Sequence, residues 1–281
     1  MSTSIVVTVE ETGAEVAADT LWSLGVVAVE ERTAGGGRVE LWTSVGEERG
    51  DIERALARIG QRWECRVEVV DDEVAESWRV FAAPTEIDPD LVIAPSWCVP
   101  SEVPAGTTVV AIDPGSAFGL GDHPTTVLTL RSMRAVLRPG ARVLDVGCGS
   151  GVLGIVACLE GAASCVGIDI AEAAVSATLA NAARNGVASR CTASVTPLAE
   201  VRGEFDVVLA NVLAPVLVDL AAELRRVTAG SGTLIVSGVL AGRHDHVVEA
   251  LSPMTVVDRR VSGGWAAVTL AHRACGSSGA A

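Results

Sequence analysis

The sequence predicts an α/β protein, a Rossmann-like doubly wound domain preceded by a small α+β, ferredoxin-like domain. Three observations carry that expectation. From about residue 125, helical and strand-like segments alternate, as in a parallel sheet with crossover helices. At 142–151 the stretch RVLDVGCGSG ends an apolar run in Asp145 and breaks into Gly147, Gly149 and Gly151 before a helical run. That is a strand, a tight turn and a helix start, an arrangement that offers backbone N–H groups to a polar ligand. Finally, the first seventy residues read β-α-β-β-α-β, the split βαβ pattern.

In order along the chain, residues 5–10 (IVVTVE) alternate as a strand. Residues 11–24 carry Val16, Ala17, Leu21 and Leu24 at helical spacing. VVAVEE at 26–31, the TAGGG turn at 33–37 and RVELWTSV at 38–45 form a hairpin. A second amphipathic helix spans 49–60, closed by Gly60, and a fourth strand spans 63–70. A small domain of this kind at 1–70 reads as a recognition or assembly module. Residues 71–80 read as a connecting helix. Pro84, Pro89, Pro95, Pro100 and Pro104 then punctuate a linker and lead-in segment that ends at 110. The main domain spans 111–273. Its expected helices are 126–137, 152–160, 171–186, 216–227 and about 242–251. Its expected strands are 142–146, 164–169, 191–195, 205–211 and 232–238, and 255–261 pairs with 265–271 as an antiparallel edge. The tail, 274–281, reads as disordered.

Composition narrows the function classes. With 49% apolar residues among 281, a full core is expected, and no apolar run reaches membrane-span length. The N-terminus has no basic region followed by an apolar stretch, so no secretion signal is expected. Seven cysteines without a CxxC pair predict buried free thiols and a cytoplasmic location. The net charge of −14 is uneven: residues 1–90 hold twenty acids against eight Arg, and 91–281 hold fifteen against thirteen. Such a front end repels nucleic acid and steers a basic protein partner. A solvated acidic surface is the plainer alternative.

Gly149, Gly151 and Gly154 spell GxGxxG, and Asp169 follows Gly149 by twenty residues, which alone suggests a dinucleotide. Asp145 argues otherwise, because an acid two residues before the first glycine disfavours a pyrophosphate. S-adenosylmethionine has no phosphate and carries an α-ammonium group that such an acid stabilises, so it is the expected cofactor, with Asp169 placed to hold its ribose. Upstream lies DPGSAFGLGDHPTT at 113–126, whose hydroxyls and following helix N-terminus suit a carboxylate. His123 reads as a hydrogen-bonded loop residue before it reads as a base. No second His or Cys lies near it at ligand spacing, so no metal site is expected. Asn211, at the end of FDVVLAN, is placed either to orient an incoming amine or to cap the next helix.

The strings DPGSAFGLGDHPTT, LDVGCGSGVLGIVA, GIDI, NAARNGV, LANVLAP and LIVSGVL resemble those of the bacterial ribosomal-protein methyltransferase family called PrmA, across most of 76–245. The resemblance implies a methyltransferase of amino groups on the large-subunit protein L-eleven, a monomer, with 1–70 recognising that protein. It implies cofactor contacts at Thr126, Gly147, Asp169 and Asn211, with Gly149 and Gly151 in the same turn. Phe118, Gly119 and Gly121 fall in the loop over the methionine end, and Asn211 takes the catalytic position. The chain departs from the family pattern at Leu120, where Thr is usual, and at Pro215, where Gly-Pro is usual. Rival expectations are a small-molecule methyltransferase of this fold, a nicotinamide dehydrogenase and a non-catalytic binding protein.

Overall fold

The computed structural model describes residues 2–22, 29–43, 56–70, 82–115 and 120–272. The chain divides into two units, Met1–Ala82 and Ala83–Ala281.

In the first unit, β1 (Ser2–Glu10), β2 (Val29–Gly35), β3 (Arg38–Thr43) and β4 (Glu64–Val70) form an antiparallel sheet in the order β2-β3-β1-β4. Alternation along β3 turns Val39 and Leu41 inward beside Ile5, Val7 and Val9 of β1. Ala14, Ala17 and Leu21, on one stripe of α1 (Ala14–Trp22), cover them together with Ile59 from a helical stretch at 56–59. Strand order and layering are compatible with the ferredoxin-like expectation. The second strand runs on to Gly35, which narrows the turn to Gly36 and Gly37 at φ 65° and 75°. Two left-handed residues are what a two-residue hairpin requires. On the sheet's other face Arg66 bonds Glu40 and Glu68 and Arg38 bonds Glu64, while Arg32 stacks on Trp42 at 4.1 Å. The helix expected at 71–80 lies outside the described residues, as do residues 44–55 and the tail.

The proline-rich segment carries more structure than a linker. In its described part, β5 (Thr85–Asp88), β6 (Leu91–Pro95) and β7 (Thr108–Ile112) form a sheet in the order β5-β6-β7. Pro84, Pro89 and Pro95 stand before, between and at the end of β5 and β6, where strands tolerate a missing N–H. The prolines punctuate strands here and do not abolish them. LVIAP itself is almost wholly buried.

The large sheet joins β8 (Arg142–Val146), β9 (Ser164–Ile168), β10 (Cys191–Ser194), β11 (Phe205–Asn211), β12 (Thr228–Leu240), β13 (Thr255–Ser262) and β14 (Trp265–Ala271). Their order is β10-β9-β8-β11-β12-β14-β13; the first five run parallel, and β14 lies antiparallel to both neighbours. On one face, α2 (Pro124–Val136), α3 (Val152–Leu159) and α4 (Glu172–Arg184) bring Leu130, Met133, Ile155 and Ala182 onto Val143, Leu209 and Ile235. On the other, α5 (Ala214–Asp219), α6 (Ala221–Val227) and α7 (Asp245–Ala250) bring Leu217, Leu224 and Val247 onto Leu144, Val208 and Leu234. Consecutive residues of one strand thus enter opposite cores, which is why these strands read as unbroken apolar runs. The helix expected at 216–227 is two helices, parted at Leu220 (φ −89°, ψ 0°), and Pro215 lets the first begin at Ala214.

Gly154 of α3 packs on β9: a Cβ there would stand 2.6 Å from Cys165 Sγ. Overpacking of ~1–3 kcal/mol should outweigh the ~1 kcal/mol that alanine gains in helix propensity, so Gly154→Ala lowers the unfolding midpoint. On a Cys165→Ala background the same substitution should be neutral or stabilising, a double-mutant cycle readable by denaturant titration.

Candidate active site

The chain turns from β8 into α3 through three left-handed glycines, Gly147, Gly149 and Gly151, at φ 74°, 54° and 82°. The region favours glycine, and space reinforces the demand. A Cβ on Gly147 would meet Val212 Cγ1 at 2.4 Å, and one on Gly151 would meet Thr178 Cγ2 at 2.8 Å. The N–H groups of Gly147 and Cys148 donate to Ile168 O at 2.8 and 3.1 Å, which ties the turn to the end of β9. The Gly149 N–H donates to Asp169 Oδ2 at 3.0 Å, the Ala171 N–H donates to Asp169 Oδ1 at 3.0 Å, and Thr178 Oγ1 donates to Gly149 O at 3.0 Å. Backbone donors therefore orient both oxygens of Asp169 at the carboxyl edge of the sheet.

Asp145 is enclosed between the end of β8 and the first turn of α3, 1% exposed. Its Oδ2 accepts the Gly154 N–H at 3.3 Å, and its Oδ1 has no partner among the described residues. Burial pushes this carboxyl up to about 7, opposed by the Gly154 N–H and assisted by the charge of Asp169.

Asn211 ends β11, and its Nδ2 stands 3.5 Å from Thr126 Oγ1 in the first turn of α2. His123 caps that helix. Its Nδ1 lies 2.8 Å from Thr125 Oγ1 and accepts the Thr125 N–H at 3.4 Å, while its ring meets Trp265 edge-on at 5.2 Å. Capping through Nδ1 requires the neutral ring, and burial lowers the imidazole pKa against the opposing charge of Asp122. Gly121, at φ 104°, is needed for packing: a Cβ there would meet Ile93 Cγ2 at 2.6 Å. Phe118 and Gly119 lie outside the described residues, and Leu120 is half-buried.

The structure thus brings Asp169 to Gly149 and Asn211 to Thr126, and seats Val212, the residue after Asn211, on Gly147. It also gives places to residues that lie in the motif strings but are not among the expected site residues. Asn181 of α4 is fully buried and donates to Ser150 O in the glycine turn at 2.9 Å and to Asp113 O at 2.8 Å. Asn is a poor helix former, so Asn181 inside an alanine-rich helix is a signal that sequence reading could have used, whereas Asn185 follows the helix as its C-cap. Ile170, beside Asp169, is 94% exposed. Cys148, Cys158, Cys165 and Cys191 are buried thiols as expected, whereas Cys98 is exposed. Among the described residues no group of His, Cys, Asp or Glu could hold a metal ion.

Residues 48–273 match the family model "Ribosomal protein L11 methyltransferase (PrmA)". Curated relatives of that name include one from Geobacter sulfurreducens, 44% identical over 197 residues that make up 69% of this chain and 64% of that relative. Another, from Symbiobacterium thermophilum, is 36% identical over 236 residues, 82% of this chain and 74% of the relative. The match with a third, from Geobacter metallireducens, likewise spans 64% of the relative's length. Among solved structures, a ribosomal protein L11 methylase from Lactobacillus delbrueckii subsp. bulgaricus superposes with a TM-score of 0.62 at 31% identity, covering 68% of this chain and 97% of that one. On this match the chain belongs to the ribosomal protein L11 methyltransferase (PrmA) family.

Proposed function

We propose that the protein is an S-adenosylmethionine-dependent N-methyltransferase acting on amino groups, Lys side chains or an N-terminal amine, of a basic ribosomal protein, the one its relatives' names state. The observation that carries this reading is Asn211 at the strand edge, bonded to Thr126 and joined through Val212 to the glycine turn. The residues present fit the cofactor. Asp145 Oδ1, buried and unpartnered, suits an ammonium group above the turn, since an orphaned acceptor gains most from a cationic donor. Asp169 keeps lone pairs for the ribose hydroxyls, and Ile170 with the half-exposed Val195 offers apolar surface to the base.

The donor supplies an activated methyl group, so this chain's residues have to align and desolvate. Asn211 donates from Nδ2 to Thr126, which leaves Oδ1 to accept from the incoming amine and aim its lone pair at the methyl carbon. The amine reacts neutral. Removal from water lowers its pKa, and its proton leaves to solvent. His123, engaged as a helix cap, orients the first turn of α2 and with it Thr126.

Asn211→Ala should reduce labelled-methyl transfer by ~10²-fold while cofactor affinity measured by calorimetry stays within a few-fold, the pattern for loss of a positioning hydrogen bond. Near-normal turnover would remove Asn211 from the mechanism. Asp145 supplies a second prediction. Its folded pKa lies above the ordinary carboxylate value, so its stabilising contribution is full below about pH 4 and is lost as pH rises through about 7. Asp145→Asn, neutral throughout, should therefore gain thermal stability relative to the cofactor-free wild type between pH 5 and pH 8. A difference that stays flat with pH would show that the carboxyl ionises normally.

A further inference from the structure

We propose that Asn181 is a positioning residue that locks the glycine turn to the strand end at Asp113 and thereby holds the turn in its ligand-binding form. The inference rests on the reading of that turn as the cofactor cradle.

Two amides one helical turn apart serve the free edge of β7. Asn185 receives the Ala111 N–H on Oδ1 at 2.9 Å and donates from Nδ2 to Ala111 O at 2.8 Å. Asn181 repeats the pattern two residues on, receiving the Asp113 N–H at 3.0 Å and donating to Asp113 O at 2.8 Å. Ala111 and Asp113 present their backbone groups on the same edge, so the two side chains take the place of a neighbouring strand. They differ in where the remaining Nδ2 hydrogen goes. The second Nδ2 hydrogen of Asn181 goes to Ser150 O, between Gly149 and Gly151, whereas that of Asn185 goes to Asn181 O within its own helix.

Asn181 therefore has no spare capacity: two carbonyls take its donors, and the Asp113 N–H and the Arg184 guanidinium take its acceptor. The amide orientation is forced, since a flip would set Oδ1 against two carbonyl oxygens. Asp113 passes the constraint on, because its carboxylate accepts the Gly115 N–H at 3.1 Å and the Ser96 hydroxyl at 3.4 Å. One fully buried side chain thus sets the separation between the turn that carries the Gly149 amide and the segment that opens toward α2.

Asn185 supplies the control, since a role limited to holding β7 would be common to both amides. The measurements are calorimetric affinity for S-adenosylhomocysteine, which binds without turnover, and thermal unfolding of the full chain. Both Asn181→Ala and Asn185→Ala should lower the unfolding midpoint, the fully buried Asn181 by more. Only the former should weaken binding, by tenfold or more, while the latter stays within twofold. If Asn181→Ala does not fold, Asn181→Ser is scored on the same scale. Equal weakening by both variants, or affinity within twofold for the position-181 variant, overturns the proposal. Gly151→Ala separates this from the underlying reading. If it too binds normally, the turn is not the cradle; if it alone weakens binding, the cradle stands and the Asn181 lock falls.

Discussion

The position of Val212 is the constraint on which the site depends. It lies just past β11, whose two neighbours in the sheet are β8 and β12. Each neighbour offers a glycine at that level. A Cβ on Gly147 would fall 2.4 Å from Val212 Cγ1, and a Cβ on Gly238, itself left-handed at φ 84°, would fall 2.4 Å from Val212 O. With no room for a methyl group on either side, the chain after Asn211 has one course. The same place is where the winding reverses, since the chain goes outward from β8 through β9 to β10 and returns at β11. Open parallel sheets form their crevice at such a point. Steric exclusion and topology together place the residue proposed to orient the acceptor beside the turn proposed to hold the donor.

Two carboxylates of the site show how little sequence separates different electrostatic states. Asp145 and Asp169 each lie at the end of a strand that leads into a helix. Asp169 receives two backbone N–H groups, one on each oxygen, and stands at the open edge. Asp145 receives one long N–H bond and is sealed in, so its neutral form gains. The open acid is suited to hydroxyl groups that it can accept from directly. The buried one, whose ionisation the charge of Asp169 further opposes, is suited to a cation that restores its charge.

Much of this was legible in the residues. The glycine spelling at 147–151, the strand ends at Asp169 and Asn211, and the helix expected from 126, which begins two residues earlier at Pro124, are local features, and the local rules that read them hold. The legible features failed where distant contacts decide. The prolines of 84–104 looked like a linker because their spacing carries no information about β6 pairing with β7 across a loop. Gly121, expected in the ligand loop, also has a packing requirement that no local pattern shows, set by Ile93 twenty-eight positions earlier. Asn181 acts on Asp113 and Ser150, 68 and 31 positions away, and no local periodicity announces such a bridge. The break at Leu220 has no punctuating residue in the sequence.

The charge of the first unit bears on the proposed docking of a basic protein. On the described sheet face Glu40, Glu64 and Glu68 are already paired with Arg38 and Arg66 at 2.8–3.0 Å. Exposed pairs of this kind contribute little to stability and present little net field. Attraction over distance depends on the unbalanced sum, and that sum is carried by the other acids of residues 1–90. Residues 91–281, with fifteen acids against thirteen Arg, carry little net charge, so steering falls to the front of the chain. For the proposed docking, such long-range attraction is screened by ions, so raising the salt concentration should slow association more than it weakens the docked contact.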